Sequence, residues 1–231
     1  MKARRTFAAV AAIACVVGLS TIAATPANAD ESVDQRQYSW YIDNGVDATT
    51  ADALIDKFNS GTLLDSMNGS APTRTQTADE AGWIVTRAWF ADGSISVSKL
   101  ETPQASAAAA RSGLIVGPRS VGNCSSVVGG SGYANYYDCA VAGSNGAYLE
   151  LGFRADYTRV SNGTGVINRV GSPYQYAAGG TASTPVLTIT KANGSPATAQ
   201  AVSQYSSATT SFTARLYLNV NGSSAWSSQT F

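Results

Sequence analysis

The chain has 231 residues, of which 44% are hydrophobic and 13% are charged, and its formal net charge is zero. This composition excludes a coiled coil and a charge-rich disordered chain, and it provides enough apolar residues for a folded core. The sequence contains no histidine, which excludes a Ser-His-Asp or Cys-His nucleophile, a histidine-liganded zinc site and a histidine pH switch. The balanced charge argues against nucleic acid as a partner, because non-specific binding to phosphates needs an excess of Lys and Arg.

The first 29 residues have the pattern of a secretory signal peptide. Three of the first five residues are basic, an apolar stretch covers 7–24, and residues 27–29 form an A-x-A cleavage site. A membrane span would need about 20 uninterrupted apolar residues, and polar residues interrupt this stretch. We therefore predict a signal peptide over 1–29, a secreted, extracellular mature chain and no transmembrane segment after cleavage.

The rest of the chain divides into two segments of opposite charge. Residues 30–101 contain 12 acidic and 5 basic residues, whereas residues 113–231 contain 3 acidic and 6 basic residues. Residues 102–112 are rich in alanine and have no strand pattern, which indicates a linker. We predict a small acidic α+β module at 30–101 and a second module at 113–231, and their opposite charges suggest that the two dock on each other.

A helix is expected early in the acidic module. Ala51, Leu54, Ile55 and Phe58 recur at helical spacing, and Thr49 is placed to cap the helix. This is the one helix that the sequence predicts.

A β-hairpin follows the helix. The Asp-Gly pair at 92–93 is the dipeptide preferred by a two-residue type I′ turn. That turn pairs Trp89 with Ser96 and Arg87 with Ser98, on the face that the helix does not cover. We expect Arg87 and Trp89 to lie at or near the contact between the two modules.

The second module is expected to contain strands only. Residues 147–158 and 212–220 alternate apolar and polar side chains over a long stretch, as strands with one buried face do. Shorter strand candidates lie at 114–116, 133–141, 166–170, 174–178, 186–191 and 198–204. The fold class is therefore mainly β, with an antiparallel β-sandwich after the α+β module; an open barrel is the alternative.

Cys124 and Cys139 are the two cysteines outside the predicted signal peptide. In an exported chain such a pair more commonly forms a disulfide than two free thiols, and the spacing is not the C-x-x-C of a redox site. We therefore predict one disulfide between them. Cys15 lies within the apolar stretch, where a lipoprotein site would leave an unusually short signal.

Three short stretches resemble secreted proteins of Gram-positive, chiefly actinobacterial, bacteria that have no known activity. They are 45–57, the hairpin turn 91–94 and the run 153–157. The resemblance covers most of the mature chain. It implies export by a bacterium, and it implies no activity, fold or site.

The sequence offers no clear catalytic or metal site. Glu150 and Asp156 lie on one face of a strand but about 20 Å apart, which is too far for the two carboxylates of a glycosidase. The glycine-rich run 129–132 does not match a serine nucleophile motif, and 43–47 does not match a calcium loop. We predict no catalytic residue, no metal and no cofactor; the question of an enzyme stays open, with a non-enzyme favoured.

Aromatic and charged side chains on polar strand faces are the remaining candidates for a binding site. They are Tyr148, Arg154, Asp156, Arg215 and Tyr217, since rings beside charges can hold a sugar or a protein. The sequence favours a secreted, non-catalytic binding protein whose partner is a glycan, a cell surface or another protein. The alternatives are a histidine-independent, carboxylate-based carbohydrate-active enzyme and a toxin or inhibitor masked by the acidic N-terminal module.

Overall fold

The computed structural model describes residues 32–102, Cys124, 126–161 and 163–231. The predicted signal peptide, the predicted linker except Thr102, and the strand predicted at 114–116 lie outside the described residues. Ser32–Phe231 forms one compact unit. Within its described part, no helix is long and apolar enough to cross a membrane.

The described residues form two helices, α1 (Val33–Asp43) and α2 (Ala48–Asn59). Asp47 caps α2, because its Oδ1 accepts a hydrogen bond from the Thr50 N–H at 3.0 Å. The prediction of Thr49 as the cap is wrong: the helix begins before Thr49, and the Asp47 carboxylate already satisfies a free N–H of the first turn.

The buried face of α2 is the one that the sequence predicts, with Ala51, Leu54, Ile55 and Phe58 buried. α1 has no counterpart in the sequence prediction, because its apolar residues do not form a regular helical stripe. The residues that α1 buries are Gln37 and Tyr41. Tyr41 joins the same hydrophobic core as the buried face of α2.

The described strands form two antiparallel sheets. The strands of the large sheet are β1 (Arg74–Glu80), β2 (Trp83–Trp89), β3 (Ile95–Glu101), β4 (Ser126–Gly130), β5 (Tyr133–Asn145), β6 (Leu149–Val160), β7 (Thr164–Ala177) and β10 (Asn193–Gly194). Their order in the sheet is β1-β2-β3-β5-β6-β7-β10, and β4 also pairs with β5. β5 is long enough for β4 to pair with its first half and β3 with its second half.

The strands of the small sheet are β8 (Thr181–Ala182), β9 (Val186–Lys191), β11 (Ala197–Ser206), β12 (Ser211–Val220) and β13 (Ala225–Thr230). Their order in the sheet is β13-β12-β11-β8, and β9 also pairs with β11. The two long alternating patterns of the sequence correspond to β6 and β12, which therefore lie in different sheets.

The turn between β2 and β3 differs from the predicted one. Trp89 pairs with Ile95, one residue away from the predicted partner. The Phe90 N–H donates to the Ser94 carbonyl at 3.0 Å, and Gly93 has φ +84°. These features form a three-residue loop with its glycine in the left-handed region, in place of a two-residue turn. The shift changes which β3 side chains share a face with β2.

The two sheets pack face to face around an apolar core. Val141 and Phe153 of the large sheet and Leu216 and Leu218 of the small sheet are all buried. The Cys124–Cys139 disulfide is present. The predicted fold class is confirmed: a mainly β protein with an antiparallel sandwich and this disulfide.

β3 connects the two segments that the sequence distinguishes by charge. It lies between β2 and β5 in the large sheet, and its Ser98 hydroxyl donates to the Ser227 carbonyl of β13 at 3.0 Å. The described parts of both segments therefore contribute to one sandwich.

Candidate functional site

The candidate site lies on the outer face of the large sheet, which points away from the small sheet. Strand pairing places two neighbouring rows of residues on this face, since alternate residues of a strand share a face. The first row is Val97, Ser144, Glu150 and Tyr176. The second row is Lys99, Ala142, Gly152 and Tyr174.

A cleft of about 230 Å³ lies between these rows and α1. Its aromatic lining comes from Trp40 of α1 and Tyr176 of β7, and Tyr176 is 46% exposed. Small residues, including Ala142 and Ser144, line the sheet side of the cleft. A flat ligand can therefore approach the sheet beside two aromatic rings.

Polar groups of opposite charge complete the lining of the cleft. Lys99 and Glu150 both line it. The Tyr174 hydroxyl donates to Glu150 Oε1 at 2.9 Å, which orients the carboxylate. Burial, together with the nearby Glu150 charge, raises the pKa of Tyr174, so the phenol stays a neutral donor at physiological pH.

The Tyr174 ring lies directly over Gly152. A methyl group built on Gly152 would be 2.0 Å from Tyr174 Cε1, so only glycine leaves room for the ring here. The ring therefore fills the space above Gly152, where the sheet has no side chain, next to the cleft.

Four charged residues form a cluster further along the large sheet, which we call the ion-pair cluster. They are Asp138 of β5, Arg154 and Asp156 of β6, and Arg169 of β7. Arg154 Nη1 lies 3.0 Å from Asp138 Oδ2, and Arg169 Nη2 lies 3.2 Å from Asp138 Oδ1. Arg169 Nε lies 2.7 Å from Asp156 Oδ2. Hydrogen bonding to Arg169 lowers the pKa of the Asp156 carboxyl, which favours the ionised form of this carboxylate beside the arginine.

Glu101, the last residue of β3, lies on the same face but is only 4% exposed. Its Oε2 accepts a hydrogen bond from the Ala140 N–H at 3.0 Å. Burial raises the pKa of the Glu101 carboxyl. Such a buried group holds the backbone of β5 and does not reach a ligand on the surface.

The five residues predicted to form a ligand face do not form one surface. Arg154 and Asp156 belong to the ion-pair cluster. Arg215 and Tyr217 lie on β12, on the outer face of the small sheet, at the opposite side of the sandwich. The prediction of one shared surface is therefore wrong, because β6 and β12 belong to different sheets.

Tyr148 is also not on a polar face. It lies in the turn before β6, is 1% exposed and stacks on Phe58, with 3.9 Å between the ring centroids. The alternation of β6 does not extend to Tyr148 because the strand begins at Leu149.

Arg87 and Trp89 share one face of β2, and both side chains contact residues of β1. Arg87 forms a bidentate ion pair with Glu80, in which Nη2 lies 2.9 Å from Oε2. The guanidinium of Arg74 lies 3.8 Å from the centroid of the Trp89 ring, a cation–π distance. Trp89 also packs against the hydrophobic core. The contact of Arg87 and Trp89 between the two predicted modules stays a prediction.

The sequence does not single out Trp40, Lys99 and Tyr176, which line the cleft, or Tyr174 beside it. A signal for two of them exists: Tyr174 and Tyr176 are two residues apart in a predicted strand, which places both rings on one face. Trp40 has no such signal, because it reaches the sheet from a helix that the pattern does not predict.

No group of three or more His, Cys, Asp or Glu residues in the described part of the chain is arranged to hold a metal ion. No protein-family model matches the sequence, and no similar curated protein or solved structure was found.

Proposed function

We propose that the protein is an exported, non-catalytic glycan-binding protein, and that the cleft between α1 and the large sheet binds neutral sugar units. The observation that carries the proposal is the lining of this cleft. Two aromatic rings lie beside a floor of small residues, with Lys99 and Glu150 as polar groups. Mostly apolar linings with a few placed polar groups are typical of small-ligand sites.

A pyranose ring matches this lining chemically. Its C–H face packs on an aromatic ring such as Tyr176, while its hydroxyls donate to the Glu150 carboxylate and accept from Lys99. Lys99 and Glu150 carry opposite charges, so an anionic ligand would gain from one and be repelled by the other. Neutral glycans are therefore the ligand class that we propose.

Binding without turnover has more support than hydrolysis. Glu150 is the one carboxylate among the described residues that line the cleft, whereas glycosidases with two carboxylates need a pair on either side of the scissile bond. A toxin or inhibitor masked by residues 30–101 has less support, because β3 of that segment lies inside the large sheet and its removal would open the sandwich.

The test is calorimetric titration of the exported chain, residues 30–231, with cellohexaose and chitohexaose. We expect at least one of them to bind without release of shorter products, and Tyr176→Ala to lower its affinity about tenfold, as loss of one stacking ring does. Tyr133→Ala is the matched control, since Tyr133 is 44% exposed and does not line the cleft. Equal affinities of wild type and Tyr176→Ala would refute the proposed site, and appearance of shorter oligosaccharides would favour the enzyme.

Export is tested by the mass of the protein recovered from the culture medium of a bacterial host. An N-terminus at Asp30, directly after the A-x-A site, is the expected result. Recovery of the chain only inside cells, with residues 1–29 still attached, would contradict it.

A further inference from the structure

We infer that the ligand is a linear oligosaccharide longer than a disaccharide, which lies along β6 from the cleft to the ion-pair cluster. This inference rests on the proposed function and extends it from a single subsite to a binding groove. It assigns a ligand-binding role to Arg169, which is outside the cleft.

The path along β6 is continuous on one face. Glu150, Gly152, Arg154 and Asp156 are alternate residues, and all four point to the outer side of the large sheet because the inner positions between them, such as Leu151 and Phe153, are buried. From Glu150 to Asp156 the strand advances about 20 Å. A disaccharide is shorter than this distance, whereas a chain of several sugar units spans it.

The Tyr174 ring occupies the middle of the path, above Gly152. Because the Tyr174 ring takes the space of a side chain at Gly152, no tall side chain stands between the cleft and the ion-pair cluster at this point. The ring can stack on one sugar of the chain, in the same way that Tyr176 stacks on another.

The far end of the path offers hydrogen-bonding groups without net charge. The ion-pair cluster contains two arginines and two aspartates, which suits a neutral ligand. Arg169 uses Nε and Nη2 for the aspartates, and its side chain is 52% exposed, so its Nη1 group has donors for sugar hydroxyls. The Asp138 side chain, 39% exposed, offers acceptors.

The experiment compares oligosaccharides of increasing length on single variants. Wild-type protein and Arg169→Gln are titrated with the cello- and chito-series from monosaccharide to hexasaccharide, and thermal unfolding checks that each variant is folded. Arg169→Lys is included because it keeps the charge in the cluster. Arg215→Gln is the matched control, since Arg215 lies on the other sheet.

We expect the wild-type affinity to rise beyond the disaccharide. We expect Arg169→Gln to lower the affinity for the tetrasaccharide about tenfold, as loss of a charged hydrogen bond does, and to leave the disaccharide affinity unchanged. Arg169→Lys should restore part of the loss, and Arg215→Gln should have no effect.

Two results would overturn the inference. Affinity that stops rising at the disaccharide, or an Arg169→Gln effect that is the same for short and long chains, would show that the groove does not extend past the cleft while the cleft still binds. If no member of either series binds the wild-type protein, the proposed function fails as well, and that outcome is distinguishable from the first two.

Discussion

Gly152 is the position at which the outer-face geometry is most sensitive to a single methyl group. In Gly152→Ala, the new methyl would be 2.0 Å from Cε1 and 2.2 Å from Cζ of Tyr174, well inside van der Waals contact. The ring must therefore move away from the sheet, and its hydrogen bond to Glu150, at 2.9 Å, must break or lengthen.

The expected cost follows from these two contacts. Overpacking by a methyl group typically costs about 1–3 kcal/mol, and lengthening of the hydrogen bond between Tyr174 and Glu150 is part of that cost. We expect Gly152→Ala to lower the free energy of unfolding by about 2 kcal/mol. In a Tyr174→Ala background the clash is absent, so the same substitution should be neutral or stabilise by up to about 1 kcal/mol, because glycine is unfavourable within a strand.

The assay is a double-mutant cycle measured by urea unfolding, with the oligosaccharide affinity measured in parallel. A coupling energy of about 2 kcal/mol between the two positions, together with weaker sugar binding by Gly152→Ala, is the expected result. Equal effects of Gly152→Ala in both backgrounds would refute the placement of the Tyr174 ring over Gly152.

Three further predictions concern stability. Replacing Cys124 and Cys139 by serine should lower the free energy of unfolding by about 2–4 kcal/mol, and the intact oxidised chain should weigh two hydrogens less than the reduced chain; two titratable thiols in the protein purified without reductant would contradict the disulfide. Burial raises the pKa of Glu101 in the folded state, so its stabilising contribution is complete below the unfolded pKa and is lost as the pH rises through the folded pKa. The stability of Glu101→Gln relative to wild type should therefore increase as the pH rises above the unfolded pKa of about 4.3 and through the folded pKa, and a pH-independent difference would argue against the raised pKa. Phe58→Ala should cost about 3–5 kcal/mol in urea unfolding, whereas Tyr217→Ala should cost far less; similar costs would contradict the packing of Phe58 on Tyr148.

The strands are predictable from the sequence because the buried faces of β6 and β12 repeat every second residue over nine residues. The sheet to which each strand belongs cannot be predicted in the same way. Nothing local distinguishes a strand of one sheet from a strand of the other, because both bury one face in the same core. Arg154 and Arg215 therefore look alike in the sequence, although they lie on opposite sides of the sandwich.

The errors at Tyr148 and in the hairpin have local causes. Tyr148 fits the alternation of β6 by position, but the strand starts one residue later and the ring turns into the core against Phe58. In the hairpin, Asp92-Gly93 does form a turn, and the loop contains one more residue than a type I′ turn has. A one-residue shift is enough to change the partners of Trp89.

The candidate site escaped prediction because its residues are brought together only by the tertiary structure. Trp40, Lys99, Glu150 and Tyr176 come from four different elements. Each one alone is an ordinary surface or half-buried residue. Only the spacing of Tyr174 and Tyr176 marks part of the site in advance.

The most direct test of the central claim is a backbone amide chemical-shift map recorded during titration of the 30–231 chain with a neutral hexasaccharide that binds it. We expect saturable amide shifts at Lys99, Ser144, Glu150 and Tyr176, and none around Arg215 on the small sheet. Shifts that cluster on the small sheet, or the absence of saturable shifts at the cleft, would contradict the claim that the outer face of the large sheet is the glycan-binding surface.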